Sequence, residues 1–73
     1  GIYDGDLLVV DRSINPKNLS TVIANVNEEL VVKTFLKEKD KNYLTSGPNK
    51  IELNTDSNVI IWGVVTYVIH KQQ

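Results

Sequence analysis

A chain of 73 residues is close to the size, roughly 70–80 residues, below which a core alone rarely holds a domain together; it has no Cys, which excludes a disulfide scaffold and a thiolate metal site. An apolar share of 41% and a charged share of 23% describe a globular chain, not a disordered one. Eight Lys+Arg against nine Asp+Glu leave a net charge of −1, so no basic footprint points to nucleic acid, and the apolar run over residues 59–65 is too short to span a bilayer.

Leu7-Leu8-Val9-Val10 is a short branched apolar run, opened by Asp4-Gly5-Asp6 and closed by Asp11-Arg12-Ser13, and reads as a buried strand entered through a Gly turn. Asn15-Pro16-Lys17-Asn18 is turn chemistry, and residues 21–26 form the second strand. Asn27-Glu28-Glu29 connects it tightly to a third, residues 30–36, as a hairpin whose turn type stays open because the favoured Gly is missing. Lys37-Glu38-Lys39-Asp40-Lys41-Asn42 caps that strand or forms an exposed hairpin tip. Tyr43-Leu44-Thr45 begins a further strand, stopped by Ser46-Gly47-Pro48-Asn49, and Ile51-Glu52-Leu53 alternates apolar and polar. After the turn at Thr55-Asp56-Ser57-Asn58, residues 59–69 are dense in β-branched side chains, with Gly63 marking a bulge or a close backbone approach. No window has a 3.6-residue period, so an all-β fold, strongly twisted or barrel-like, is expected.

Motif chemistry is sparse. There is no Gly-rich phosphate loop, one histidine (His70, an exposed tail side chain) is too few for a metal cluster, and Asp4 and Asp6 shape a turn. Residues 37–41 read as a solvated loop, and Trp62 fills a core or an interface. Lys33 stands apart. It shares a strand face with Val31 and Phe35, while the other face carries Leu30, Val32, Thr34 and Leu36. A strand apolar on both faces is central, and desolvation there disfavours an ammonium, the route to a lysine general base. The alternative is a strand-end lysine that snorkels its amine to water.

The stretch Gly1-Ile2-Tyr3-Asp4-Gly5-Asp6-Leu7-Leu8-Val9-Val10-Asp11-Arg12-Ser13, then Pro16, Val22-Ile23-Ala24 and Glu29-Leu30-Val31-Val32-Lys33, resembles the autoproteolytic domain of the LexA/UmuD family. Trp62-Gly63-Val64-Val65-Thr66-Tyr67-Val68-Ile69-His70 looks like that domain's terminal strand. Within the family the Asp11-Arg12-Ser13 ending and the Gly63-Val64-Val65-Thr66 close are more similar to UmuD than to the repressors.

The resemblance implies a small, strongly twisted, barrel-like antiparallel β domain of the LexA/signal-peptidase type. It implies self-cleavage by a Ser–Lys dyad of the S24 type, stimulated by the RecA–single-stranded DNA filament, with Lys33 as general base. The family's Ser belongs to a Ser-Met pair ahead of the G-I-x-D-G-D segment, so it and the scissile bond are expected upstream of Gly1; none of Ser13, Ser20, Ser46 or Ser57 matches it. Residues 1–73 are then one truncated autopeptidase and dimerisation domain, part of something longer as the opening Gly1 implies, and inert alone. No cofactor and no metal are called for. The parent is expected in the bacterial cytoplasm, its processed form acting in the SOS response as a homodimer and accessory subunit of an error-prone translesion DNA polymerase. This domain is expected neither to bind DNA sequence-specifically nor to enter a membrane. A cleavage and dimerisation domain of a LexA-like or phage-type repressor is the alternative; a signal-peptidase-like enzyme, the third reading, needs a membrane anchor. Where the family often has Gly in the hairpin, this chain has Asn27-Glu28-Glu29, and where the family has Gly-Asp before the second strand it has Leu19-Ser20. The family's L-x-P-x-N-x-x-Y stretch survives as Leu44-Thr45-Ser46-Gly47-Pro48-Asn49, with Pro and Asn displaced.

Overall fold

Each β-branched run forms a strand in the computed structural model, which describes residues 4–70. The elements are β1 (Leu7–Asp11), β2 (Thr21–Val26), β3 (Glu29–Glu38), β4 (Lys41–Ser46), β5 (Asn49–Leu53) and β6 (Val59–Ile69). Among the described residues there is no helix. All pairings are antiparallel, in one six-stranded sheet of order β1-β6-β2-β3-β4-β5. The all-β fold expected from the sequence is the fold observed.

Alternation sorts the side chains. Directly paired residues share a face, so Val64, Val22 and Lys33 form one row across β6, β2 and β3, and Phe35 and Leu44 another across β3 and β4. This face carries the core of Val22, Ala24, Phe35, Leu44 and Val64. Leu53 of β5 and Val59 and Ile61 of β6 pack on the same cluster, although three strands separate β5 from β6 in the sheet order. The sheet therefore curls around its own core, as the strong twist of β-branched strands favours. Two bulges assist, because extra residues in one strand bend it and raise its twist. Trp62 is the extra residue between the Ile23↔Gly63 and Ala24↔Ile61 pairs, and Thr66 the extra one between Val9↔Tyr67 and Val10↔Val65. The Thr66 hydroxyl donates to the Val9 carbonyl at 3.2 Å.

The turns show where the missing glycines matter. Asn27 and Glu28 both adopt positive φ, 50° and 70°, so the β2–β3 hairpin closes through the mirror-image geometry that matches strand twist. Leu19, in the place of the family's Gly, lies at φ 71°. Its N–H donates to the Phe35 carbonyl at 2.7 Å, which ties the approach to β2 against β3. After β1, Asp11 Oδ1 accepts hydrogen bonds from the Ser13 N–H (2.8 Å) and hydroxyl (2.6 Å); the hydroxyl first and the amide second hold the Asp11 carboxyl below its ordinary value.

Two expectations change and one narrows. The run at residues 7–10 is an edge strand with Leu7 66% exposed, not a buried one. β3 is central, but its second face is open, Leu30 being 62% and Val32 41% exposed. Of the two places expected for Trp62, the core is the one it does not take, being 43% exposed, and Tyr67 is 71% exposed. In each case the local apolar pattern marks a strand but does not say which face this chain covers. The charged stretch at residues 37–42 is a hairpin tip whose flanks belong to β3 and β4, because Glu38↔Lys41 pair across it. Two of its charges pair with β5, Glu38 with Lys50 and Lys41 with Glu52. The hydrogen bond to Glu38 raises the Lys50 ammonium above its ordinary value.

Candidate active site

Lys33 lies on β3 directly across from Val22 of β2, which is fully buried. Alternation along β3 sends its side chain to the face of Phe35, and the residue is half-buried. Its other flank is different. The ladder to β4 starts at Thr34↔Thr45, so among the described residues no strand pairs with residues 29–33 on that side. Their outward backbone groups form a short open edge inside an otherwise central strand, and Lys33 stands at its end.

The β4–β5 hairpin supplies the facing wall. Ser46 pairs with Asn49 across the two-residue turn Gly47-Pro48. Gly47 has φ +60° at the first central position, where Gly is favoured, and the fixed φ of Pro suits the second. Phe35 pairs with Leu44, so alternation gives Lys33 and Ser46, each two residues on, that same face, one step past the last ladder pair Thr34↔Thr45. Two clefts meet there. One of about 350 Å³ runs along Val32, Lys33, Thr34, Thr45, Ser46 and Gly47; the other, about 240 Å³, lies on the core side between Lys33, Leu44, Ser46, Asn49 and Ile51. Among the described residues no carboxylate is within ion-pair distance of Lys33. The site is therefore one amine against an apolar wall, with hydroxyls at its mouth.

The remaining candidates lie elsewhere. Asp6 and His70, read from sequence as a turn former and a tail residue, are bonded at 2.8 Å (Oδ2 to Nδ1) where β1 begins and β6 ends, with Gly5 at φ 87° ahead of Asp6. Trp62 lies under the Arg12 guanidinium, 4.4 Å from its ring centroid, and the Arg12 Nε–H donates to the Trp62 carbonyl at 3.1 Å. A separate open cleft of about 560 Å³ at the β3–β4 tip, between Glu38, Lys39, Asp40, Lys41 and Tyr43, is remote from Lys33 in the strand register. Among the described residues no group of three or more His, Cys, Asp or Glu is placed to hold a metal ion, and no helix is long and apolar enough to cross a membrane. Of the four serines, Ser13 bonds Asp11, Ser20 accepts from the Lys17 N–H and Ser57 donates to the Asn54 carbonyl. Ser46 is the one beside Lys33. Sequence reasoning passed over Ser46; the signal that reaches it is the Gly47-Pro48 turn, from which the strand register can be counted back to Lys33.

The family model described as Peptidase S24-like matches residues 1–66. Protein ImpA of Salmonella typhimurium is 40% identical over 73 residues, covering 97% of this chain and 50% of the relative. Protein MucA of the same organism is 37% identical over 76 residues, covering 90% of this chain and 47% of the relative. The LexA repressor of Pseudomonas chlororaphis is 33% identical over 76 residues, covering 97% of this chain and 37% of the repressor. The chain spans about half the length, or less, of these curated relatives. With a family model matched across most of its residues, and relatives that include a LexA repressor aligned over nearly all of it, the chain belongs to the Peptidase S24-like family, the family of LexA.

Proposed function

We propose that this chain is the base-bearing domain of a UmuD-like autopeptidase of the SOS response, in which Lys33 is the general base of a Ser–Lys dyad. Its nucleophilic Ser and scissile bond lie upstream of Gly1, and cleavage is stimulated by the RecA–single-stranded DNA filament. The cleaved form is a homodimer that serves an error-prone translesion polymerase as accessory subunit in the bacterial cytoplasm. Support for Lys33 comes from the observation that carries the proposal: it ends the stretch of β3, residues 29–33, that pairs with β2 and, among the described residues, has no strand on its other side. An extended segment laid along residues 29–33 completes its backbone hydrogen bonds there and carries a peptide bond past the Lys33 amine. The amine then takes the Ser hydroxyl proton as the hydroxyl oxygen attacks that carbonyl, and hands it to the departing nitrogen as the C–N bond breaks; water then hydrolyses the Ser ester. Similarity to ImpA and MucA, each about twice the length of this chain, favours the UmuD-like parent over a repressor.

The homodimer draws support from surface. The accessible area is 5702 Å², against about 4,500 Å² expected for a compact monomer of this mass. The excess includes an apolar block in which Leu7 pairs with Ile69 and Val9 with Tyr67, all exposed, and a second around Leu30, Ile60 and Trp62. The test is a chain extended upstream through the family's Ser-Met pair and scissile bond, incubated with and without RecA filament. Two products on a denaturing gel, more of them with the filament, is the expected result; an intact chain under both conditions contradicts the proposal. For self-association, light scattering that reports a monomer at high concentration, with Trp62 emitting as in water, counts against the dimer.

A further inference from the structure

We propose that Ser46 is a positioning residue for Lys33: its Oγ accepts a hydrogen bond from the Lys33 Nζ and holds the amine at the mouth of the cleft. The inference rests on the reading of Lys33 as the base and adds a residue to it.

Three observations carry it. Lys33 and Ser46 are the two residues common to both clefts, so the pair forms the threshold between them. Lys33 and Ser46 are the next residues on β3 and β4 past the last ladder pair, Thr34↔Thr45, and alternation gives both the face of Phe35 and Leu44. The backbone of Ser46 is also firmly placed, being paired with Asn49 across a turn in which Gly47 lies at φ +60° and the ring of Pro48 fixes its own φ.

The chemistry asks for such a contact. A lysine amine rides on a flexible four-carbon stem, and a base must be held within hydrogen-bond reach of the proton it removes. Of the polar side chains that line the clefts with Lys33, namely Thr21, Thr34, Thr45, Asn49 and Ser46, Ser46 is the one that lines both. A serine hydroxyl accepts from the amine while leaving the other Nζ positions to face the open β3 edge.

Two measurements test this. In the 73-residue chain, NMR is expected to show a nuclear Overhauser contact between the Lys33 Hε and Ser46 Hβ protons, with Lys33 Cε resonances that move in S46A. In the chain extended upstream, S46A is expected to self-cleave about tenfold more slowly, the size of one lost hydrogen bond, with an altered pH profile, while S46T stays near the wild-type rate. Absence of the Overhauser contact in the unsubstituted chain overturns the inference whether or not S46A folds. An S46A rate and pH profile equal to wild type, in a background where K33A is inactive, removes Ser46 and leaves the Lys33 assignment standing. A K33A variant that still cleaves removes both.

Discussion

A Cβ built on Gly63 of β6 comes within 2.4 Å of Val10 Cγ1 and 3.3 Å of the Asp11 carbonyl oxygen. β1 thus rests on β6 at the one point where β6 has no side chain, next to the bulge at Trp62. Gly63→Ala is expected to destabilise the fold by about 1–3 kcal/mol through overpacking. For a domain of this size that is a fall in Tm of about 4–8 °C per kcal/mol. Val10→Ala removes the nearest clashing atom, so the double variant is expected to lose less than the sum of the two single variants. Strict additivity in thermal melts contradicts the contact.

Glu28 and Leu19 lie in the left-handed region with side chains that gain nothing from it, both being exposed. Relief of that conformation is worth about 1–2 kcal/mol per residue, less what glycine's extra freedom costs in the unfolded chain. Glu28→Gly and Leu19→Gly are each expected to raise Tm, by up to about 4–8 °C. A lowered Tm in either variant rules out the backbone angles given for it.

Asp11 titrates below the ordinary carboxylate value because the Ser13 hydroxyl and amide both donate to it. Its folded pKa being depressed, the interaction stabilises the folded state above the unfolded pKa and is lost as pH falls through the folded one, a window below about pH 4. Ser13→Ala is expected to return the Asp11 carboxyl, followed by its NMR signal, toward the ordinary value. No movement on substitution contradicts the assigned cause.

Lys50 behaves in the opposite sense. Its ammonium is raised, chiefly by the hydrogen bond to Glu38, so that pairing favours the folded state below the unfolded lysine pKa and fades as pH rises through the raised one. Both side chains are about half exposed, so the effect on stability is small and screened by salt. Glu38→Gln is expected to lower the Lys50 titration midpoint while leaving Tm nearly unchanged. A midpoint that stays raised removes Glu38 as its cause.

The strands were legible because β-branched density, alternation and turn residues are local signals, and so was the face that Lys33 shares with Val31 and Phe35, whereas its role as base was implied only by the family resemblance. Local signals do not show which face is covered. Leu30, Val32, Leu7 and Val9 have the composition of buried positions and lie exposed, since no described segment of this chain packs over them. The turn at Asn27-Glu28 kept its type hidden because it lacks the glycine that announces it. Ser46 stayed hidden for another reason. Its place beside Lys33 is a property of register, which depends on the exact length of the Gly47-Pro48 turn and of the β3–β4 tip.

The role of Lys33 is tested most directly by the first-order rate of self-cleavage at alkaline pH, in the chain extended upstream through the Ser-Met pair and the scissile bond. Lys33→Ala is expected to lower that rate by about 10²–10⁴-fold, with the thermal melt little changed because the residue is half-buried at an open strand edge. A Lys33→Ala chain that melts normally and cleaves at the wild-type rate contradicts the assignment.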